Sequence, residues 1–515
     1  TQLLTILSTM TPNQLEERLS LLGSRLVEDD WSGLLYGIEE LAQNGRADLA
    51  EQLMAACLRV AQENENEWAF RAVTYFLGHV YYLQGQVERA IEAYQAVVDS
   101  GLEVGDEDGR FQASLALSRI GGAYMAQGDI LQAITAMEQA LALDEQVGQQ
   151  TAAIGSRLSL ASMYLVQEEF ATGEAILREA LAQALAVEHP LLTAMALLKL
   201  AGLQEDLNNP VAAIEQYEMA LDVLDAVEEA EDEELYLMTY HQILVGLGMA
   251  YQATAEPERS ISAYADAARL AYILEDKRSQ AVAITWLGTA QLDTRRPYLA
   301  LRSFRAAARL SRLAGDPWWL GTNSFFSASA WQALEAWDEA ETAVTQAMQY
   351  HAATPGEHSA DEAGCLVKLG EIAEARGAFE TAVAHYRQVL AVLGRVEIGQ
   401  MHRLIYLRLG EAYWYQGQFA QAYRMLRQAL EVYESKRQTV SELWRRVDFA
   451  PSRDLVYEYL ARTCLALGKV VEAFTAVEEG RMRVFREQLE RQPITDEPVE
   501  TLDWSDIKPL LCMEV

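Results

Sequence analysis

The side chains that could do chemistry are present but scattered. The seven histidines, His79, His189, His241, His351, His358, His385 and His402, form no HxxxH, HExxH or Cys/His spacing that would put two ligands on one metal. The four cysteines, Cys57, Cys365, Cys464 and Cys512, lie far apart with no CxxC pair, which excludes a disulfide scaffold and a thiolate cluster and fits a reducing compartment. Cys57, Cys365 and Cys464 fall within helical patterns and read as small apolar fillers. No glycine-rich loop runs into Lys-Ser/Thr, and no GxSxG elbow occurs. The acidic stretch 101–109 reads as a loop between repeats, and its spacing is wrong for an EF-hand. Glu371 with Glu374, and Glu411 near Trp414, could line an inner groove, although solvation at the surface is the default for such carboxylates. No catalytic, metal or cofactor site is expected in this segment.

Composition narrows the class further. Of 515 residues, 50% are apolar and 23% charged, which supports a sizeable core and argues against general disorder. Only 11 residues are proline, which favours long helices over a turn-rich sandwich. The 41 basic and 76 acidic residues leave a net charge of −35, and only six of the basic residues are lysine. Such a field repels phosphate backbones and anionic bilayers, so direct membrane binding is not expected and direct nucleic-acid binding is disfavoured; a nucleoprotein partner stays open. No run of 18 apolar residues and no signal peptide is present, and a cytoplasmic location is expected.

The elements that would position any site come from a repeat. Leu77-Gly78, Tyr81, Gly85, Ala90 and Tyr94 recur as Ile120-Gly121, Tyr124, Gly128, Ala133 and Met137. They recur again as Leu409-Gly410, Tyr413, Gly417, Ala422 and Leu426. The small second residue of the pair falls at 78, 121, 161, 201, 248, 288, 328, 370, 410 and 461, mostly 40 residues apart. A weaker hairpin precedes these, from Trp31 through Asn44-Gly45 to Cys57. Each unit reads as two antiparallel helices. The small residue admits the partner helix, the glycine seven residues later ends the first helix, and the later aromatic fills the gap between repeats. One hairpin cannot bury its apolar face alone, so the units must stack.

This pattern resembles the tetratricopeptide repeat family, in a long-repeat form with a step near 40 rather than about 34 residues. The resemblance covers about residues 30 to 480. It implies an all-α right-handed superhelix of ten to eleven hairpins. The additional residues are expected in longer helices and in loops such as 187–190 and 354–358. The expected division is 1–65 as degenerate capping helices, 66–480 as the solenoid, and 481–515 as a linker and the start of a missing domain. Two steps are irregular. An acidic insertion near 226–235 is either solvated surface or a docking site for a basic partner. The stretch 435–453 carries Lys436, Arg437, Arg445, Arg446, Arg453, Trp444 and Phe449. It reads as a longer helix and loop, or as a partner contact.

After the last repeat, Glu478, Gly480, Arg481, Arg483, Arg486 and Leu489 precede a polar linker and the element 504–511, which begins at Trp504. This junction resembles that of bacterial proteins in which such repeats precede a CHAT domain. The resemblance implies a caspase-like cysteine protease, with its His and Cys on a domain C-terminal to this segment; Cys512 is in the wrong place to be that nucleophile. Repeat-protease subunits of antiviral defence complexes are known as a type, and nothing in these residues selects them.

Binding is the role the sequence supports best. Repeat geometry puts the first helix of each hairpin on the concave side. Groove-facing candidates are the residue after the small one and those three or four away. These are His79, Tyr82, Met125, Gln252, Thr289, Ser329, Gln332, Glu371, Glu374, Glu411, Trp414 and Arg462; Arg481, Arg483, Arg486 and Trp504 mark the domain junction. The expected function is a protein- or peptide-recognition solenoid acting as the sensor arm of a CHAT protease, with another protein or its own C-terminal domain as partner. The alternatives are a passive adaptor with no enzyme, or the sensor arm of a transcription activator or signalling ATPase.

Overall fold

Helix propensity and punctuation agree along the described residues. In the computed structural model the described residues are 7–22, 28–227, 232–354, 358–394, 399–437 and 450–490. Among them there are twenty-three α-helices and no strand. Three N-terminal helices, α1 (Pro12–Leu22), α2 (Glu28–Leu41) and α3 (Ala47–Glu63), precede ten hairpins. Asn44 and Gly45 (φ 79°) break the π-helical turn between α2 and α3, as the weak first repeat anticipated.

The hairpins are α4 (Glu67–Leu83) with α5 (Val87–Val104), α6 (Glu107–Gln127) with α7 (Ile130–Val147), and α8 (Gln150–Val166) with α9 (Phe170–Ala186). Then come α10 (Pro190–Asp206) with α11 (Pro210–Asp225), α12 (Glu233–Ala253) with α13 (Pro257–Ile273), and α14 (Lys277–Asp293) with α15 (Pro297–Leu313). The last four are α16 (Pro317–Ala333) with α17 (Trp337–Ala352), α18 (Ser359–Ala375) with α19 (Phe379–Leu393), α20 (Gly399–Tyr415) with α21 (Phe419–Arg437), and α22 (Ala450–Ala466) with α23 (Val470–Glu490). The first helix of each pair is called A and the second B. The 40-residue step is two 17-residue helices and two three-residue turns, as in α14 and α15. The added length is therefore in the helices. The 187–190 loop is an ordinary three-residue connection, contrary to the expectation above, and 355–357 lies outside the described residues.

Few prolines suffice because several of them open helices. Pro190, Pro210, Pro257, Pro297 and Pro317 each stand first in a helix, where the missing N–H has no intrahelical partner to lose. Asn66, Asp106, Asp129, Asp276 and Asp316 cap the helices they precede by accepting backbone N–H bonds.

Two compact units are present: residues 1–206 with 212–239, and 207–211 with 240–515. In the first, Asp144 on α7 is 1% exposed and accepts hydrogen bonds from Ser114 on α6 and Ser156 (2.8 Å) on α8, tying three helices together. The acidic insertion falls largely on residues 228–231, outside the description; Glu233 and Glu234 open α12. Trp444, Arg445, Arg446 and Phe449 also lie outside it.

The small residue works within its own hairpin. A Cβ on Gly370 would lie 2.3 Å from the Tyr386 ring, on Gly288 2.4 Å from Phe304, and on Gly248 2.6 Å from Tyr264. The ring sixteen residues on is laid flat against the bare backbone of its own A helix, so it fills the hairpin rather than only the gap to the next repeat. Of 101–109, only Gly105 and Asp106 form the connection between repeats. Gly101 lies in α5 and Gly109 in α6, and a Cβ on Gly101 would be 2.3 Å from the Gly109 carbonyl, so the two helices meet backbone to backbone.

Seven residues after the small one, every A helix ends in the left-handed region. Gly85, Gly128, Gly377, Gly417 and Gly468 supply it freely, but Glu168, Asn208, Ala255 (φ 60°), Arg295 and Glu335 (φ 57°) adopt it as well. The ladder demands it: Ala255 donates its N–H to the Gln252 carbonyl and Glu256 to the Tyr251 carbonyl, the paired bonds of a Schellman turn. Ala255→Gly is therefore expected to stabilise the second unit by about 0.5–1 kcal/mol in urea denaturation. An unchanged midpoint would mean that the turn is not strained.

Candidate functional site

The A-helix positions proposed for a groove are occupied mainly by contacts between neighbouring repeats. His79 on α4 is bonded through Nδ1 to Glu39 on α2 and stacks against Tyr82 at 6.5 Å. Tyr82 itself is 38% exposed, and Met125 is half-buried against the core around α6 and α7. In the second unit Gln252 is held at both ends: it donates to Asp293 (2.6 Å) and accepts from the Tyr264 hydroxyl (2.8 Å). Thr289 turns back to the Trp286 carbonyl (2.7 Å), and Ser329 and Gln332 are half-buried. These positions therefore zip repeats together as well as facing outward.

A denser group lies on α18, α20 and α22, all in the second unit. On α18, Lys368 pairs with Glu371 (2.9 Å). On α20, Arg408 reaches Glu411 (3.1 Å) and stands 3.9 Å from Glu374 of the preceding repeat. Glu411 is only 7% exposed. Trp414 packs edge-on to Tyr415, Phe419 and Tyr459. Arg462 pairs with Glu458 and lies over the Tyr459 ring. Solvation is thus not the state of Glu374 and Glu411. Burial pushes the Glu374 carboxyl up to about 7, against the opposing pull of Arg408 and the Tyr386 hydroxyl. Burial also raises Glu411, with Arg408 opposing. Counting Lys368, Arg408 and Arg462 against Glu371, Glu374, Glu411 and Glu458, the patch carries one carboxyl group more than its cations, and that excess becomes a charge only as Glu374 loses its proton.

Sequence spacing missed a second cluster. His351 at the end of α17 is 4% exposed and sits where Gly321 leaves room for its ring. Asp361 on α18 accepts from Trp318 Nε1 (3.1 Å), with His358 Nδ1 at 3.3 Å and His351 Nδ1 at 3.8 Å. These residues close the junction between two repeats. Among the described residues no group of three or more His, Cys, Asp or Glu could hold a metal. Cys57 and Cys365 are buried, and burial pushes both thiols up to about 12, which suits fillers rather than nucleophiles. Arg481, Arg483 and Arg486 fall on the last turns of α23; Trp504 lies outside the described residues. No described helix is long and apolar enough to cross a membrane.

Stacked antiparallel hairpins with a small-residue and aromatic lock, a left-handed A-helix end and a 40-residue step define an all-α helical-hairpin solenoid. Residues 73–100, 116–147 and 407–480 match the tetratricopeptide repeat, so the chain carries such repeats there. No curated protein matches the sequence. The apo form of RapI is similar over 71% of this chain and 98% of its own, at 14% identity and a TM-score of 0.50. BtubC (BKLC) from P. vanneervenii aligns over 48% of this chain and 97% of its own, at 21% identity and a TM-score of 0.40. The Cut9–Hcn1 APC/C hetero-tetramer aligns over 93% of this chain and 98% of its own, at 13% identity and a TM-score of 0.36. At these identities the likeness is one of fold.

Proposed function

We propose that the A-helix face of α18, α20 and α22 recognises a peptide segment of a protein partner through a cationic side chain seated beside an aromatic one. The observation that carries this reading is the half-buried patch with one carboxyl group more than its cations, Glu374 losing its proton as pH rises through neutrality, and Trp414 at its edge. A lysine or arginine placed there would complete the charge balance, and Trp414 and Tyr415 (54% exposed) supply anchor area. The test is a library of basic, aromatic-containing peptides screened by fluorescence polarisation against the full chain. Glu371→Gln with Glu411→Gln should weaken the bound peptides more than tenfold, and equal binding by the double variant overturns the reading.

The finer role we propose is that of a sensor arm on a CHAT-type protease, with partner capture on the solenoid passed to the following domain. Its support is the junction-like run Glu478, Gly480, Arg481, Arg483 and Leu489 leading to 504–511. Isolation of the natural gene product decides it. An added α/β domain with a His and a Cys, whose proteolysis responds to the Glu371 and Glu411 changes, is the expected result. A product without such a domain leaves a passive adaptor.

A further inference from the structure

One B helix runs against the charge of the chain. α15 carries Arg302, Arg305, Arg309 and Arg312 and no carboxylate, whereas every other B helix from α5 to α23 contains Asp or Glu. From Tyr298 onward these residues recur at steps of four, three, four and three, which places them on one helix face. All five are exposed, Tyr298 to 74%. Other arginines of the second unit find partners: Arg259, Arg269, Arg278, Arg296 and Arg376 each hold a carboxylate within 3.1 Å. Among the described residues no ion pair reaches the four on α15; Arg305 lies only over the Trp331 ring, at 6.0 Å. The flanking B helices keep the stripe clear of acid. In the same register, 40 residues earlier, α13 presents Ser262, Ala265, Arg269 and Tyr272. Forty residues later α17 presents Thr342, Thr345, Gln349 and Ala352. Leu313, which ends α15, is 62% exposed.

We propose that this face of α15 docks an acidic helical segment of another protein. From Arg302 to Arg312 the stripe covers about 15 Å of helix. A partner helix with carboxylates at three- and four-residue spacing presents its charges at the same rise, so each guanidinium can take a carboxylate in its fork. An apolar residue at either end of such a segment meets Tyr298 or Leu313. Like charges at this spacing repel one another and weaken a helix, and exposed arginines add nothing to the packing of α15 that would offset it. Nucleic acid is a poorer match. A polyanion longer than the stripe runs on to a chain whose net charge is −35, and that field repels it. A short acidic segment confines its charge to the stripe. This face belongs to the B helices and does not depend on the A-helix patch of α18, α20 and α22.

The test is fluorescence anisotropy with the full chain and a labelled helical peptide of alanine and glutamate. Its glutamates alternate at three- and four-residue spacing, and a leucine stands at each end. A peptide of the same composition with scrambled spacing and a single-stranded oligonucleotide of matched charge are run beside it. Arg305→Glu with Arg309→Glu should weaken the peptide more than tenfold. Arg89→Glu with Arg178→Glu makes the same change of charge on α5 and α9 and should leave the affinity within about twofold. Far-UV circular dichroism confirms that both variants keep their helices. Absence of binding, binding that the α15 variant leaves unchanged, or equal weakening by the two variants overturns the proposal. So does a scrambled peptide that binds as tightly, because the helical match then plays no part. An oligonucleotide bound more tightly than the peptide and lost in the α15 variant assigns the stripe to nucleic acid. Self-association in analytical ultracentrifugation that the α15 variant abolishes assigns it to a second copy; either result also overturns the proposal.

Discussion

Gly370→Ala should cost about 3 kcal/mol, the upper range for overpacking a closed site. The added methyl would be 2.3 Å from one Tyr386 ring carbon and 2.6 Å from another. The ring is fully buried and cannot swing away, so α18 and α19 must separate. Because repeats contact mainly their neighbours, the loss should appear first as lost amide hydrogen-exchange protection in α18 to α20 and then in the denaturation midpoint. A second substitution, Tyr386→Leu, should return a large part of the loss. The chain itself makes this exchange at Ala161 with Leu177 and at Ala328 with Val344. Gly122→Ala is the control: its Cβ would meet nothing within 4 Å, and alanine there should stabilise α6 by about 1 kcal/mol. If both glycines respond alike, the close approach at Gly370 is not what the small residue is for.

Glu374→Gln should stabilise the second unit at pH 8 by up to about 3 kcal/mol, the equivalent of a carboxyl raised from its ordinary 4.5 to about 7. The folded state holds a proton on Glu374 that the unfolded chain has released. Stability from this group is therefore complete below pH 4.5, falls as pH rises from 4.5 to 7, and is absent above. The glutamine variant should lose that slope and match the parent at pH 4.5. Glu411 is raised by burial in the same sense and leaves a smaller residual slope. Urea denaturation across pH 4.5 to 8 measures it; parallel curves for parent and variant would show that Glu374 is ionised in the fold. The same proton links to binding. A cationic peptide seated beside Glu374 expels it, so affinity should rise with pH through neutrality.

The repeat and its fold were legible in the sequence because they rest on positions that recur. The small residues at 78, 121, 161, 201, 248, 288, 328, 370, 410 and 461 all fall inside A helices, and the glycines at 85, 128, 377, 417 and 468 end them as read. Periodicity also gave the burial of Cys57, Cys365 and Cys464. Stretch 101–109 was read as loop throughout because clustered glycines signal a turn; Gly105 does make the turn, while Gly101 and Gly109 let the helices touch.

The site was a different matter. Sequence alone named Glu371, Glu374, Glu411 and Trp414 by their register on A helices, but register is the same whether a side chain meets water or a neighbour. Only stacking decided that Gln252 is bonded to Asp293 and Tyr264, that Arg408 stands between Glu374 and Glu411, and that Asp361 gathers Trp318 and two histidines. Gln252 and Asp293, Arg408 and Glu374, and Asp361 and Trp318 lie about a repeat apart in the chain, and local spacing carries no information on which of these will face each other. Helical period fixes which face a residue takes. The desolvation that lifts Glu374 exists only once the next hairpin is in place.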